Sequence, residues 1–110
     1  MNKLNDINQF VNLYDYYKNL LTKIQQQDFE MYLFEDMSLE EIALKLHKSK
    51  TAVFDNIKKV QKNLLEFENK LHLAKKGQYL QQLLDNIWEA KTLAEVHELL
   101  KELKGDKNGI

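Results

Sequence analysis

The stretch Asp36-Met37-Ser38-Leu39-Glu40-Glu41-Ile42-Ala43-Leu44-Lys45-Leu46-His47-Lys48-Ser49-Lys50-Thr51-Ala52-Val53-Phe54-Asp55-Asn56-Ile57-Lys58-Lys59-Val60 decides the fold. Two helix starts, Ser38 and Ser49, sit eleven residues apart. That distance leaves room for one short helix and one tight turn. Ser38 can cap the first helix, and Glu41 three residues on completes a capping box. Ile42 and Leu46 lie four apart on one face, beside the small Ala43, where a second helix can approach closely. Ser49 can cap that second helix, whose inward stripe is Val53 and Ile57. Two helices joined in this way form a helix-turn-helix, which can offer its second helix to a DNA major groove. The turn position that usually carries glycine holds His47, which tolerates a positive φ better than bulkier residues do. The next position is usually apolar and holds Lys48.

Working outward, the periodicity stays helical. Leu4, Ile7, Phe10, Val11, Tyr14, Tyr17, Leu20 and Leu21 alternate spacings of three and four, which predicts an amphipathic helix over residues 4–21. Thr22 with Gln25 forms a capping box that opens a helix over about residues 23–35, with Phe29, Tyr32 and Leu33 inward. Beyond the turn, Val60, Leu64, Phe67, Leu71 and Ala74 carry the stripe of the second helix past residue 70. Lys75, Lys76 and Gly77 make a C-terminal cap for it, unless Gly77 is tolerated inside a longer helix. Leu80, Leu83, Leu84, Ile87 and Trp88 form another apolar face. Thr92 with Glu95 opens a last helix carrying Val96, Leu99, Leu100 and Leu103, which Gly105 ends. The expected fold is all-α. A helix-turn-helix domain spans residues 1–62, a helical extension spans 63–105, and a disordered tail covers 106–110.

Composition agrees. The 110 residues contain no proline, no cysteine and three glycines, with 44% hydrophobic and 30% charged residues. Few breakers favour long helices. The absence of cysteine excludes a disulfide framework and thiolate metal sites, and allows a reducing cytoplasm. The opening residues are too polar for a signal peptide, and no apolar run approaches membrane length, so membrane insertion is not expected.

The formal net charge of −1 is not that of a general nucleic-acid binder, yet the charges are segregated. Residues 28–41 hold Asp28, Glu30, Glu35, Asp36, Glu40 and Glu41 without a lysine, a local −6. Residues 45–62 hold Lys45, Lys48, Lys50, Lys58, Lys59 and Lys62 against Asp55 alone, a local +5. A basic stripe on the second helix of a helix-turn-helix is the footprint of phosphate contact. A solvated helix face is the plain alternative. All 16 basic residues are lysine. Without arginine's planar fork, sharp reading of G·C pairs is not expected.

If the second helix enters a groove, Lys48 and Ser49 meet phosphates, aided by the helix N-terminus. Lys50, Thr51 and Phe54 then point toward base edges, with Asp55 flanking and Lys58 returning to the backbone. Thr51 and Phe54 can touch thymine methyls. Asp55 is repelled by phosphates but can accept from cytosine N4. The same residues are equally the surface of a scaffold helix used for protein contact, with Phe54 as an anchor. His47, His72 and His97 lie far apart without companions at ligand spacing, so no metal is expected. No nucleophile, phosphate loop or histidine dyad is recognisable, which argues against an enzyme and against a cofactor. Trp88, Tyr79 and the neighbouring leucines read as core.

The chain resembles the YlxM family of small bacterial helix-turn-helix proteins. The likeness rests on Leu20-Leu21-Thr22, on Asp36 to Ala43, on Ser49-Lys50-Thr51-Ala52-Val53-Phe54-Asp55-Asn56-Ile57-Lys58, and on Glu68-Asn69-Lys70-Leu71-His72. The helix-turn-helix portion is also similar to region 4 of bacterial sigma factors, a broader match. The resemblance implies a DNA-binding regulator tied to the signal recognition particle pathway, a tie that rests on gene neighbourhood. The alternative it leaves is an accessory that contacts the particle or its RNA without binding DNA. A homodimer is expected, since two recognition helices are needed to span half-sites.

Overall fold

The computed structural model describes the backbone of residues 3–105 and the side chains of residues 7–105. Six α-helices follow one another, with no strand among the described residues. They are α1 (Lys3–Tyr17), α2 (Lys23–Leu33), α3 (Leu39–Leu46), α4 (Lys50–Leu71), α5 (Leu73–Glu89) and α6 (Leu93–Gly105), with a single 3-10 turn, Lys18–Leu20, after α1. The chain divides into two compact units, Met1–Leu71 and His72–Ile110.

The caps explain where the helices begin. The Thr22 hydroxyl accepts from the Gln25 N–H at 3.1 Å, and the Gln25 side chain accepts from the Thr22 N–H at 3.0 Å. Ser38 and Glu41 repeat this exchange at 3.1 and 3.2 Å. Ser49 accepts from the Ala52 N–H at 3.0 Å and starts α4. The Thr92 box is only half formed: Thr92 accepts from the Glu95 N–H at 3.1 Å, but the Glu95 carboxylate accepts from the Lys91 N–H at 2.9 Å, one residue before the cap.

In the first unit, α1, α2 and α3 all pack on α4. The core is Phe10, Leu13, Tyr14, Tyr17, Leu21, Phe29, Met31, Ile42, Ala43, Val53, Ile57, Val60 and Leu64, all buried. Phe29 sits under the Phe10 and Tyr14 rings at centroid distances of 6.3 and 5.5 Å, and Tyr17 meets Phe67 at 5.8 Å. Complete burial of each such side chain is worth about 1.5–3 kcal/mol. Two tyrosines add polar ties. Tyr17 donates to Glu68 at 2.5 Å, and Tyr14 donates to Glu30 at 2.8 Å. Burial, with the Glu30 carboxylate adding to it, holds the Tyr14 phenol well above the usual tyrosine range, so it remains a donor.

Several expectations are corrected. The first helix was expected to run to residue 21, but it gives way to the 3-10 turn after Tyr17. That turn changes the phase, so Leu20 is 57% exposed; Leu13, absent from the predicted stripe, lies before the turn in α1 and is buried with Phe10, Tyr14 and Tyr17 at ordinary helical spacing. Leu4 lies outside the described side chains. The helix expected over 23–35 ends at Leu33, and Asp36 takes a positive φ of 52° in the link to α3. The long helix does not end at Lys75-Lys76-Gly77. It stops at Leu71, where His72 adopts a left-handed φ of 55°, and Gly77 lies inside α5. The boundary expected at residue 62 falls within α4, whose stripe continues through the buried Leu64; the units divide after Leu71. Trp88, expected in the core, stands on the surface of α5, because a two-helix unit covers only the side on which Ala74 and Leu83 lie. The tail expected over residues 106–110 lies outside the described residues.

The turn between α3 and α4 is closed by His47 and Lys48. His47 is left-handed, with φ 55° and ψ 44°. The Lys48 N–H donates to the Ala43 carbonyl at 3.0 Å and the His47 N–H to the Leu44 carbonyl at 3.4 Å. These two bonds are those of a Schellman cap, in which the residue after the left-handed position usually makes an apolar contact. Lys48 instead turns its ammonium onto Asp28 of α2, 2.9 and 3.0 Å from the two carboxylate oxygens, and the Asn56 amide of α4 donates to the same carboxylate at 2.9 Å. Asp28 is wholly buried, while the Lys48 side chain keeps 26% of its surface.

The geometry of this turn can be tested at both residues. His47→Gly should raise the unfolding free energy by about 0.5–1 kcal/mol, because glycine enters the left-handed region without the Cβ clash. His47→Val should lower it by more than that, because a β-branched residue is a true outlier there. Urea midpoints that fall for glycine and hold for valine would overturn the assignment. Lys48→Met strands a buried carboxylate on one amide and should cost about 3 kcal/mol. Pairing it with Asp28→Leu should bring the unfolding free energy, read from urea titration, back to within about 1 kcal/mol of wild type, because an apolar pair replaces the ion pair without an orphan charge. A Lys48→Met protein as stable as wild type would show that Asp28 does not depend on that lysine.

Candidate nucleic-acid interface

The inner side of α4 is defined by Val53, Ile57, Val60 and Leu64, all buried. At 3.6 residues per turn, the opposite side carries Thr51, Phe54, Asp55 and Lys58. All four are exposed, as are Ser49 and Lys50 at the helix start. Six of the seven residues singled out in the sequence are therefore exposed: Thr51, Phe54, Asp55 and Lys58 on the outer side of α4, and Ser49 and Lys50 at its start, with Lys50 turned toward Glu40 of α3. The seventh, Lys48, points instead into the ion pair with Asp28, so its ammonium is engaged inside the fold and not presented to a phosphate.

The cations of this surface are themselves partnered. Lys50 Nζ lies 2.6 Å from Glu40 Oε1 at the start of α3. The hydrogen bond from Lys50 holds the Glu40 carboxyl below the usual glutamate range, with a backbone hydrogen bond and the Lys50 charge adding to it. Lys58 Nζ sits 5.6 Å from the centroid of the Phe54 ring, a cation–π contact that leaves 45% of the phenylalanine exposed. Lys45, Lys59 and Lys62 are exposed.

Sequence reasoning overlooked Asp28, Asn56 and Glu40. Asp28 had a signal: a carboxylate one residue before the inward Phe29, in a chain whose turn carries a lysine at an apolar position. Glu40 had none, because a pairing ten residues away across a turn leaves no periodic mark.

Among the described residues, no group of three histidines or carboxylates could hold a metal ion. No helix of the described residues is long and apolar enough to cross a membrane.

Comparison with known proteins places this geometry in context. A family described as "Putative helix-turn-helix protein, YlxM / p13 like" matches residues 4–103. A UPF0122 protein of Mycoplasma capricolum is 46% identical over 92 residues, covering 84% of this chain and 80% of that protein. A UPF0122 protein of Oceanobacillus iheyensis is 41% identical over 92 residues, covering 84% and 88%. One from Halalkalibacterium halodurans is 39% identical over 95 residues, covering 83% and 87%. With a match across nearly the whole chain and relatives that align over most of their own length, the protein belongs to the UPF0122 family of YlxM / p13-like helix-turn-helix proteins.

Proposed function

We propose that this protein is a non-catalytic, cytoplasmic nucleic-acid-binding regulator that uses the outer face of α4. One observation carries the reading: the helix that follows the turn buries Val53 and Ile57 and leaves Thr51, Phe54, Asp55 and Lys58 accessible. In a helix-turn-helix that accessible side is the one that enters a major groove. Lys50, Lys58, Lys59 and Lys62 supply the electrostatic attraction, Ser49 and the first turn of α4 meet phosphate, and Thr51 and Phe54 reach thymine methyls. The resemblance to YlxM proteins supports a role in the signal recognition particle pathway.

A second reading is favoured by Phe54. An aromatic 45% exposed on a helix suits a protein anchor as well as a base contact. In this reading the surface docks on a component of the targeting particle without DNA.

Self-association fits the first reading. Leu84 and Trp88 lie four apart on α5, with Trp88 90% exposed, and Leu93 and Leu100 are exposed on α6. A second copy packed on these residues would bury them and provide the second recognition helix that a two-half-site operator requires.

Alanine at Lys50 and Lys58 together should weaken binding to duplex DNA and reduce the salt slope by about one unit for each phosphate that is no longer neutralised. Thermal stability should hardly change. Phe54→Ala should lower affinity chiefly for sites with thymine at the matching position. Loss of partner capture that is indifferent to nuclease treatment would instead favour the protein reading. Wild type that binds neither duplex DNA nor structured RNA at low salt would exclude nucleic-acid recognition. Light scattering should give a dimer at micromolar concentration, with Trp88→Ala shifting it toward monomer; a monomeric wild type would remove the self-association step.

A further inference from the structure

We propose that Glu40 is an intramolecular competitor for Lys50, a built-in stand-in for phosphate that must be displaced when α4 engages nucleic acid. The inference rests on the nucleic-acid reading of α4 and adds a device that regulates it.

The lysines near the start of α4 differ in what they touch. Lys48 is held by the buried Asp28 and is not exchangeable without loss of the turn. Lys50, the first residue of α4, is the next cation along, and its ammonium lies 2.6 Å from Glu40 Oε1. Both side chains are more than half exposed, at 58% for Lys50 and 66% for Glu40, so the pair is open to an incoming anion. Glu40 also accepts a hydrogen bond from the Ser38 side chain, a smaller influence on it than Lys50, but the reciprocal capping exchange of α3 is not made by Glu40. It is made by Ser38 and Glu41, which exchange hydrogen bonds at 3.1 and 3.2 Å. The titration of Glu40, displaced downward by Lys50, agrees with a carboxylate that favours its charged, paired form.

A phosphate oxygen approaching Lys50 offers the same chemistry as the Glu40 carboxylate: an anionic oxygen accepting from an ammonium. Binding there is therefore an exchange of acceptors rather than a gain of one. Glu40 also leaves an uncompensated negative charge beside the arriving phosphate. Both effects reduce affinity for any nucleic acid irrespective of sequence, while contacts by Thr51 and Phe54 are untouched. The consequence is a brake on overall affinity: specific and non-specific sites lose the same factor, and the preference between sequences stays with the base contacts.

The test compares wild type, Glu40→Gln, Lys50→Ala and the double variant for binding to a mixed-sequence DNA duplex and to an RNA hairpin at low salt. Glu66→Gln, an equal charge change further along α4, serves as control. Glu40→Gln should bind about two- to fivefold more tightly, the range expected of one exposed ion pair. The gain should fall by at least half in the Lys50→Ala background, and Glu66→Gln should show little of it. Carboxyl titration by NMR supplies a readout that needs no nucleic acid: the Glu40 midpoint should rise toward the ordinary glutamate range in Lys50→Ala. An equal gain with and without Lys50 would reduce the effect to long-range charge and overturn the proposal. So would no gain at all, or a Glu40 titration that ignores Lys50. Wild type that binds while Glu40→Gln binds no better defeats the competitor alone. Absence of binding by every variant defeats it together with the nucleic-acid reading.

Discussion

The first unit depends on the carboxylate of Asp28. It is wholly buried in α2, and it is tolerable there only because Lys48 and Asn56 supply three donated hydrogen bonds. A buried charge with a partner removed is strongly destabilising, so α2, the turn and α4 are held to one mutual arrangement. An apolar contact at Lys48 would satisfy the cap equally well, but it would accept a range of positions. The ion pair accepts one, because two carboxylate oxygens, an ammonium and an amide have to meet within hydrogen-bond distance. The cost is that Lys48 is withdrawn from the outer surface. The first lysine of α4 left on its exposed surface is therefore Lys50.

How far the fold was legible depends on whether the responsible interaction is local. Capping boxes at Thr22 and Ser38, the cap at Ser49 and the inward phase set by Val53 and Ile57 each involve residues within one or two turns, and the structure bears them out. Readings that depended on phase being carried through an irregularity did not survive. The 3-10 turn after Tyr17 rotates the chain, which exposes Leu20. The break after α4 was sought at Gly77 because glycine enters the left-handed region freely. It occurs at His72, a residue for which that region costs more, and Gly77 is accommodated in α5. His47, Asp36 and His72 all take positive φ, so this chain builds its helix breaks from residues other than glycine. The Asp28–Lys48 pair spans twenty residues, and no periodicity marks such a separation. Two misfits, a carboxylate next to an inward aromatic and a lysine at an apolar turn position, explain each other only when set side by side.

The segregation of charge in the sequence also takes on a different meaning. The acidic stretch 28–41 and the basic stretch 45–62 are not two independent surfaces. Asp28 meets Lys48 and Glu40 meets Lys50, so the ends of the two stretches neutralise one another across the helix-turn-helix. What remains exposed on α4 and near it is Lys45, Lys58, Lys59 and Lys62, with Lys58 drawn over Phe54. On the proposed nucleic-acid reading, Lys50 would meet phosphate by exchange with Glu40, which lowers affinity for every sequence alike. On the same reading, a chain with no arginine would draw its discrimination from shape and methyl contacts, because lysine gives a point charge without bidentate geometry.

The second unit poses the complementary problem. It consists of two helices, and two helices packed together hide only the sides that face each other. Each apolar stripe is at least about 100° wide in a helix built to bury a face. Among its described residues only Ala74 and Leu83 are fully buried, while Leu84, Trp88, Leu93 and Leu100 remain exposed. One tryptophan in the open is an ordinary feature of a surface; a tryptophan together with Leu73, Leu84, Leu93 and Leu100 is a large share of exposed apolar side chains for a two-helix unit, and self-association is the proposed cover. Cover by a second copy has an advantage over cover by an unrelated chain, because the same patch serves both sides of a two-fold interface and no second complementary surface has to exist. On the proposed nucleic-acid reading it would also bring two α4 surfaces into one assembly, so that weak individual contacts add up to recognition.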